Sequence, residues 1–586
     1  MSKLLHQLAC HGEITWLSYY FADFIARQSQ TDIDDLLGWS AALVCEANQS
    51  GNVCIDLEHY VAAPLFVSSR IDPTRIPQVS EVADWDAYLR SSHCVGGPGD
   101  SAPLILDGKR LYLNRYWHYE TRVAEKIKSM LGGADIIDDA NTLRQLDRLF
   151  PGNDDSHRDR DQIRAVTLAA NRRFSVISGG PGTGKTTTII KILSTLISRQ
   201  PQIRIALAAP TGKAAARMME SIRNRIDHID IDDSIRALVP TQASTLHRLL
   251  GYRRRGYRYD RKHRLPVDCV VVDEASMIDL TLMFHLLEAL PEQARVILLG
   301  DRDQLASVAA GNVLGDITGH GNDLLRSKAV VVNSIALLRH SYRFDASTDI
   351  GKLAGLVNSG QIKDSMSLLR QTGKGITWYQ DDRDEINADA LAWLLNAYQP
   401  VLESESAADA LAVYESTRVL CATNRGALGV EHINRLISAR LLSRLGRSEG
   451  EVFSGLPIMI IRNHHQLGLY NGDSGILWHD DNKQLQACFR DEQGGVRRVA
   501  LHRLPEYSSA WAITVHKSQG SEYDSVLLLL PTDATSSVLS RELLYTAISR
   551  ARQRFHLQSR DAVVSASIEG LSKRHSGLAE RLGWQD

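Results

Sequence analysis

At 586 residues the chain is too long for one hydrophobic core, and about three or four domains is the natural expectation. Hydrophobic residues at 44% and charged residues at 23% exclude a disordered or fibrous chain. With 67 Lys+Arg against 69 Asp+Glu, global charge advertises no polyanion partner, so any nucleic-acid surface must be local. Seven cysteines form no CxxC pair and read as reduced thiols packed as small hydrophobes. The N-terminus lacks the apolar run of a signal peptide, and no stretch approaches the ~20 apolar residues of a membrane span. The expected compartment is the cytoplasm, with no membrane partner.

Residues 1 to about 110 read as mixed, with helices expected over Ile14–Ile25 and Leu36–Ala47. GGPGDSAP at Gly96–Pro103 lacks the Gly-Lys-Ser/Thr that completes a phosphate loop and reads as a plain loop. RLYLNRYWHYETRVAEKI, from Arg110, passes from strand-like alternation into a helical pattern, and PGNDDSHRDRD at Pro151 marks a charged boundary. From Asp161, short apolar runs alternate with helical patterns: Phe174–Ile177, Ile203–Ala208, Val270–Val272 and Val296–Leu299, then Arg418–Cys421 and Val526–Leu530. Buried strands separated by helices predict an α/β fold with two parallel sheets covered on both faces. Residues of about 440–508 are short strands broken by Asn-Gly-Asp and Gly-Gly turns, a small antiparallel β insertion.

SVISGGPGTGKTTTIIKIL carries G-x-x-x-x-G-K-T at Gly179–Thr186. Here Gly179, Gly180, Pro181, Gly182, Thr183 and Gly184 turn backbone N–H groups inward around phosphate oxygens, at the positive end of the following helix. Lys185 reaches the β/γ phosphates, Thr186 is placed to hold Mg²⁺, and Thr187 continues the nucleotide-facing run. The expected cofactors are ATP and Mg²⁺. In DCVVVDEASMID, Asp273 suits Mg²⁺ and Glu274 suits polarisation of the attacking water. Gln304, after the strand in RVILLGDRDQLASV, is suited to touch both γ-phosphate and water.

GGPGTGKTT, APTGKAAARM, TLHRLLG, VVVDEASMID, LLGDRDQLASV, SYRF, ITVHKSQGSEYD and LLYTAISRAR occur in this order over about residues 162–552. On these motifs the chain resembles superfamily 1 helicases, most closely their RecD-like 5′→3′ branch. The resemblance implies two RecA-like domains with ATP in the cleft between them and single-stranded DNA across their tops. It assigns adenine recognition to Gln162, for which an exposed helical glutamine is the plain alternative. Arg343 and Arg550 would reach the γ-phosphate from the second domain, making hydrolysis depend on closure. Pro210, Thr211, Lys213, Thr245, His247, Thr514, His516 and Lys517 fall on the DNA track. Asn471 joins them or is merely a hairpin turn, and Gly520 and Glu522 would lie at the nucleotide. GYRRRGYRYDRKHRLP, from Gly251, interleaves six arginines with three tyrosines and suits either DNA or a partner subunit.

Within that branch, the PLILDGKRLYLNRYWHYE and YNGDSGI segments look like RecD subunits of the RecBCD enzyme, exonuclease V. The likeness implies a heterotrimer with RecB and RecC proteins acting on double-stranded DNA ends. The expected layout is a partner-binding domain over 1–115 and a first motor domain over 116–340 with a basic insertion near 251–266. A second motor domain over 341–586 would carry an SH3-like insertion near 440–508. Acid clusters at Asp32–Asp35, Asp138–Asp139 and Asp154–Asp155 lack the Asp…Glu-x-Lys arrangement of a metal nuclease, so nuclease activity is expected in another subunit. A stand-alone helicase and a scaffold subunit whose ATPase serves assembly are the alternatives.

Overall fold

The computed structural model describes residues 3–132, 146–150, 157–253, 256–319, 327, 329–342, 348–371, 375–444, 446, 452–491, 494–572 and 574–584. At the N-terminus, helices Leu4–Cys10, Trp16–Ser29 and Leu36–Gln49 cover a four-stranded sheet. The second and third start at Thr15 and Asp35, whose side chains accept bonds from Ser18 N–H and Leu36 N–H, so both begin at their caps. Trp39 and Trp85 fill the core between these layers, and each indole N–H finds an acceptor, Asp34 O and Ser40 Oγ. Residues 97–103 form a loop turned by Asp100, whose carboxylate accepts Gly97 N–H, while Gly96 ends the strand Val95–Gly96.

The long helix Asn114–Leu131 leads to the first motor unit, a six-stranded sheet. Its strands run Ile335–Leu338, Phe174–Gly179, Arg295–Gly300, Cys269–Val272, Ile205–Ala209 and Ala243–Thr245, every neighbour pair parallel. Two apolar clusters cover its two faces, which is why the strands read as continuous Val/Ile/Leu runs. The Ile203–Ala208 run pairs only from Ile205, because Arg204 N–H and guanidinium are both held by the Asp268 carboxylate. Within 251–266, two-residue strands Tyr252–Arg253 and Gly256–Tyr257 make a short hairpin.

A second parallel sheet runs Ile376–Tyr379, Ala551–Gln558, Tyr523–Leu529, Thr417–Cys421 and Ala512–Thr514. Between Thr417–Cys421 and Ala512–Thr514 the chain leaves to build a five-stranded antiparallel sheet, Pro457–Ile460 to Tyr507–Ser509. The expected α/β architecture of two parallel-sheet motor units with a β-rich insertion is what the chain adopts.

The C-terminal end does not stay with the second sheet. Leu578, Leu582 and Trp584 enter the apolar core of the first motor unit, and the Trp584 indole donates to Ile317 O. The tail is anchored on Glu120, fully buried, which accepts from Arg581 Nε (2.9 Å), Ser576 Oγ (2.9 Å), Gly577 N–H (2.9 Å) and Tyr112 Oη (3.1 Å). His575 O also accepts Val53 N–H, joining the tail to the N-terminal sheet. The segment 341–586 is therefore not one packing unit: its last residues buttress the first half of the chain.

Candidate active site

The Phe174–Gly179 strand is buried along its whole length and delivers the chain to the loop that opens helix Lys185–Arg199. Gly182 (φ 76°) and Gly184 (φ 83°) take left-handed backbone, which lets the loop curl with its N–H groups inward. Nothing larger fits at two neighbours: a Cβ on Gly179 would lie 2.6 Å from Thr183 Oγ1, and one on Gly180 2.8 Å from Tyr545 Oη. Lys185 Nζ folds back on the loop, donating to Gly179 O (2.6 Å) and Gly180 O (3.0 Å). Pro181 O accepts from Ser341 Oγ and Gly182 O from Tyr342 N–H, so the stretch before Arg343 drapes over the loop. Arg343 itself lies outside the described residues.

Gln162 is buried rather than exposed. Its Nε2 donates to Tyr342 Oη (3.3 Å) and sits where a Cβ on Gly184 would be 2.8 Å away. Thr186 stands at the first turn of the helix, half-buried. Thr187 Oγ1, by contrast, is taken by Arg225 Nη1 (3.1 Å) of helix Gly212–Ile226, because successive helical residues point about 100° apart.

The acids stand at the C-terminal end of strand Cys269–Val272. Burial and the neighbouring Glu274 carboxylate push Asp273 up to about 6, with Lys185 pulling the other way. Glu274 adopts left-handed backbone (φ 52°), uncommon for a residue with a side chain. Carboxylate, carboxylate and ammonium thus face one another beside a glycine cradle, a donor set that fits a phosphate chain with a divalent cation. Among the described residues, no group of three or more His, Cys, Asp or Glu comes together as a separate metal cluster.

Across the cleft the two motor units touch through polar bonds. Asp301, buried, accepts from Gln304 Nε2 and from Tyr545 Oη, both at 3.0 Å. Leu305 N–H donates to Thr546 Oγ1 (2.9 Å), and Leu305 O accepts from Gln519 Nε2 (2.6 Å). Gln304 Oε1 is buried without a hydrogen-bond partner, an orphan acceptor beside the cleft. Tyr545, Thr546 and Arg217 were not singled out from the sequence. For the first two the signal was the LLYTAISRAR segment itself, but nothing local marks a tyrosine as a cross-cleft donor.

Three expected nucleotide contacts have other partners. Glu522 is held by Arg217 Nη2 (2.6 Å) from the first motor unit and by Arg552 Nη2 (3.2 Å). Gly520 O accepts from Arg217 Nη1 (2.8 Å), and a Cβ there would face Ala214. Both therefore sit against helix Gly212–Ile226, because the guanidinium forks around them. Arg550 is buried within its own unit, donating to Ser521 O (3.0 Å) and Thr546 O (3.2 Å).

Residues of the expected strand path gather along the C-terminal edges of both sheets, where the pairing of Ile205–Ala209 with Ala243–Thr245 sets Ala209 beside Thr245. Pro210 is half-buried before Thr211, which caps helix Gly212–Ile226, and Thr245 caps Leu246–Leu249; both hydroxyls accept an N–H and keep their own proton to donate. Lys213 is half-buried and His247 exposed. Asn471 is exposed, its N–H bonded to Asn463, in the turn whose Tyr470 ring faces Gly212. In the second unit Thr514 accepts Lys517 N–H (3.3 Å) and closes a single turn His516–Ser518, leaving Lys517 exposed. Burial, reinforced by Arg574, lowers the His516 pKa, so its imidazole is neutral near pH 7.

Residues 11–112 match the family model of the N-terminal domain of the RecBCD enzyme subunit RecD, 162–310 an AAA domain, and 509–557 the UvrD-like helicase C-terminal domain. The chain is 36% identical to RecBCD enzyme subunit RecD of Mycolicibacterium smegmatis over 558 residues, covering 93% of each. With the Haemophilus influenzae subunit it shares 32% over 650 aligned positions, covering 99% of each. The ATP-dependent RecD2 DNA helicase of Deinococcus radiodurans is 30% identical over 482 residues, 81% of this chain and 58% of that protein. Among solved structures, Bacteroides Pif1 bound to ssDNA aligns over 68% of this chain and 91% of its own at 18% identity and a TM-score of 0.37, a likeness too slight to carry an argument.

Proposed function

The chain belongs to the RecD family of RecBCD-type DNA helicases, and from that premise we propose how its cleft turns ATP hydrolysis into movement along DNA. It is an ATP-dependent DNA helicase of the 5′→3′ kind, the motor subunit of a complex that opens DNA ends. Its proposed partners are RecB and RecC proteins and the single- and double-stranded DNA of a broken end. The proposed compartment is the cytoplasm, where such DNA lies. Among the described residues no helix is long and apolar enough to cross a membrane.

ATP is proposed to lie on the Gly179–Thr186 loop with Gln162 beside the base. Lys185 exchanges its two loop carbonyls for phosphate oxygens, a charge-assisted gain that favours the loaded state. Thr186 and Asp273 would hold Mg²⁺, which neutralises phosphate charge when bound. Glu274, fixed by its backbone, orients and deprotonates the attacking water. Gln304 offers its orphan Oε1 to that water and its amide to Asp301. Arg550 stabilises the transferring phosphoryl group only after releasing Ser521 O, which makes hydrolysis wait for closure. Arg343 supplies the second guanidinium in this reading. Thr211, Lys213, Thr245, His247, Asn471, Thr514, His516 and Lys517 grip the strand backbone.

The observation that carries this reading is the cross-cleft chain from Gly180 through Tyr545 and Asp301 to Gln304, joined at Leu305 to Thr546 and Gln519. Gln519 lies two residues from Lys517 on the strand path, so one loop meets both the DNA side and the nucleotide side. Lys185→Gln should lose DNA-stimulated ATP hydrolysis and unwinding from a 5′ overhang in the reconstituted complex. Gln519→Ala should weaken DNA stimulation by about tenfold while nucleotide affinity changes little. Unwinding untouched by Lys185→Gln would instead favour a scaffold role, and processive unwinding by the purified chain alone would remove the need for partners.

A further inference from the structure

We propose that a second contact track for single-stranded nucleic acid leaves the strand path at His247 and crosses the outer surface of the first motor unit on a ladder of aromatic rings, ending at Tyr119. It rests on the reading above that Thr211, Thr245 and His247 touch the strand. The ladder joins four elements: Leu246–Leu249, Gly256–Tyr257, Leu280–Ala289 and, far earlier in sequence, Asn114–Leu131. Ring centroids step from His247 to Tyr257 at 6.3 Å, to His285 at 4.4 Å, to Phe284 at 5.1 Å and to Tyr119 at 4.3 Å. Tyr252 branches from the first two rungs at 5.7 and 5.4 Å and is 60% exposed. His247 is exposed, and Tyr257, His285, Phe284 and Tyr119 are only half-buried. Tyr257, Phe284 and Tyr119 pack their inner sides on the apolar core of the first unit, yet each stays only half-buried, and His247 and Tyr252 at the start of the line are exposed.

Charge runs beside the rings. The hairpin Tyr252–Tyr257 borders an open cavity of ≈ 590 Å³ lined by Arg253, Gly256, Tyr257, Arg258 and His263, two of them arginines. Of the carboxylates nearby, Asp279 is engaged in capping its helix at Leu282 N–H, Asp260 in binding the N–H groups of Lys262 and His263, and Glu288 in pairing with Arg122. Cations that meet phosphates beside π-faces that stack bases are what sequence-tolerant binding of a flexible single strand requires. The ladder starts where the motor's own contacts end, so it lengthens the footprint rather than duplicating it.

The test is fluorescence anisotropy of the full chain with labelled oligothymidylates of about 8 and about 16 nucleotides. The native chain should bind the longer strand more tightly. Tyr257→Leu combined with Phe284→Leu keeps apolar volume but removes two π-faces, and should erase about tenfold of the long-strand affinity with less than about twofold effect on the short strand. Tyr257→Phe with Phe284→Tyr should restore it. An unchanged long-to-short ratio in a folded Leu variant, or no native gain with length, overturns the track. If the Leu variant fails to fold, cross-linking of a 4-thiothymidine strand to the native chain decides. Adducts on Tyr257 or Tyr119 support the track, and adducts confined to Thr211–Lys213 and Thr514–Lys517 overturn it. Loss of co-purifying partner subunits without loss of long-strand affinity would assign the rings to a protein and overturn it too. Failure of the native chain to bind even the short strand would strike the strand path itself, a distinct result.

Discussion

Arg217 illustrates how much one side chain can decide. It stands on helix Gly212–Ile226, whose first residues lie on the proposed strand path, and forks onto Gly520 O and Glu522 of the opposite unit. Glu522 is further held by Arg552, so a single carboxylate joins two guanidiniums across the cleft. A domain rotation must stretch or carry this clamp, because a bidentate guanidinium tolerates little misalignment. Arg217→Ala is therefore expected to lower DNA-stimulated ATP hydrolysis by about tenfold while leaving DNA-free hydrolysis within about twofold, read from steady-state rates with and without single-stranded DNA. Equal losses in both would mean that the clamp serves folding alone. Glu274 is the other residue whose conformation speaks. Its left-handed backbone, at the end of the Cys269–Val272 strand, costs on the order of 1 kcal/mol.

Among the elements, strand Ala551–Gln558 lies between Ile376–Tyr379 and Tyr523–Leu529 in the second sheet and carries a polar residue into its core. His556 is buried against Trp393 (4.0 Å between centroids) and Tyr379, whose hydroxyl meets Nδ1 at 3.3 Å. Burial, helped by Arg554, lowers its pKa from 6.5 to about 4. Above pH 6.5 both folded and unfolded chains hold the imidazole neutral, and the site is pH-independent. As pH falls from 6.5 toward 4 only the unfolded chain gains the proton, so stability is lost through that window, by up to about 3 kcal/mol. Denaturant midpoints between pH 7.5 and 4.5 should show this slope, and His556→Phe should flatten it. Strand Thr417–Cys421 hides a comparable oddity. Arg418 is buried with no carboxylate partner among the described residues, held by the faces of Tyr414 and Tyr523 and by Ala510 O.

For the molecule as a whole, the C-terminal tail is the keystone contact. Residues 575–584 tie the N-terminal sheet and helix Asn114–Leu131 to the first motor unit through Glu120 and Arg581. Burial raises the Glu120 pKa while Arg581 opposes it, so removing the guanidinium strands a buried acid. Arg581→Ala should cost about 3–5 kcal/mol in the unfolding of the N-terminal half, and Glu120→Gln added to it should recover part of the loss. A thermal melt in which Arg581→Ala matches the native chain would refute the anchoring role.

The legible part follows a common physical rule. The phosphate loop, the Asp273–Glu274 strand end and six strands of the two parallel sheets could be read because each depends on contiguous residues: glycines where left-handed backbone is needed, apolar runs where both sheet faces are covered. The strands Ala243–Thr245, Ile335–Leu338, Ile376–Tyr379, Ala512–Thr514 and Ala551–Gln558 were not among them. What could not be read depends on residues hundreds of positions apart. Asp301 and Tyr545, Leu305 and Gln519, Arg217 and Glu522, and Glu120 and Arg581 meet only after two sheets and a tail are packed. Arg550 shows the difference in one residue. Its motif named it as a guanidinium for the cleft, whereas the fold holds it on Ser521 O within its own unit. By itself the sequence determined the chemistry available and the elements that present it, since backbone conformation and burial pattern are local. Only the tertiary structure decided which groups share the cleft, because side-chain partnership is set by packing and not by order along the chain.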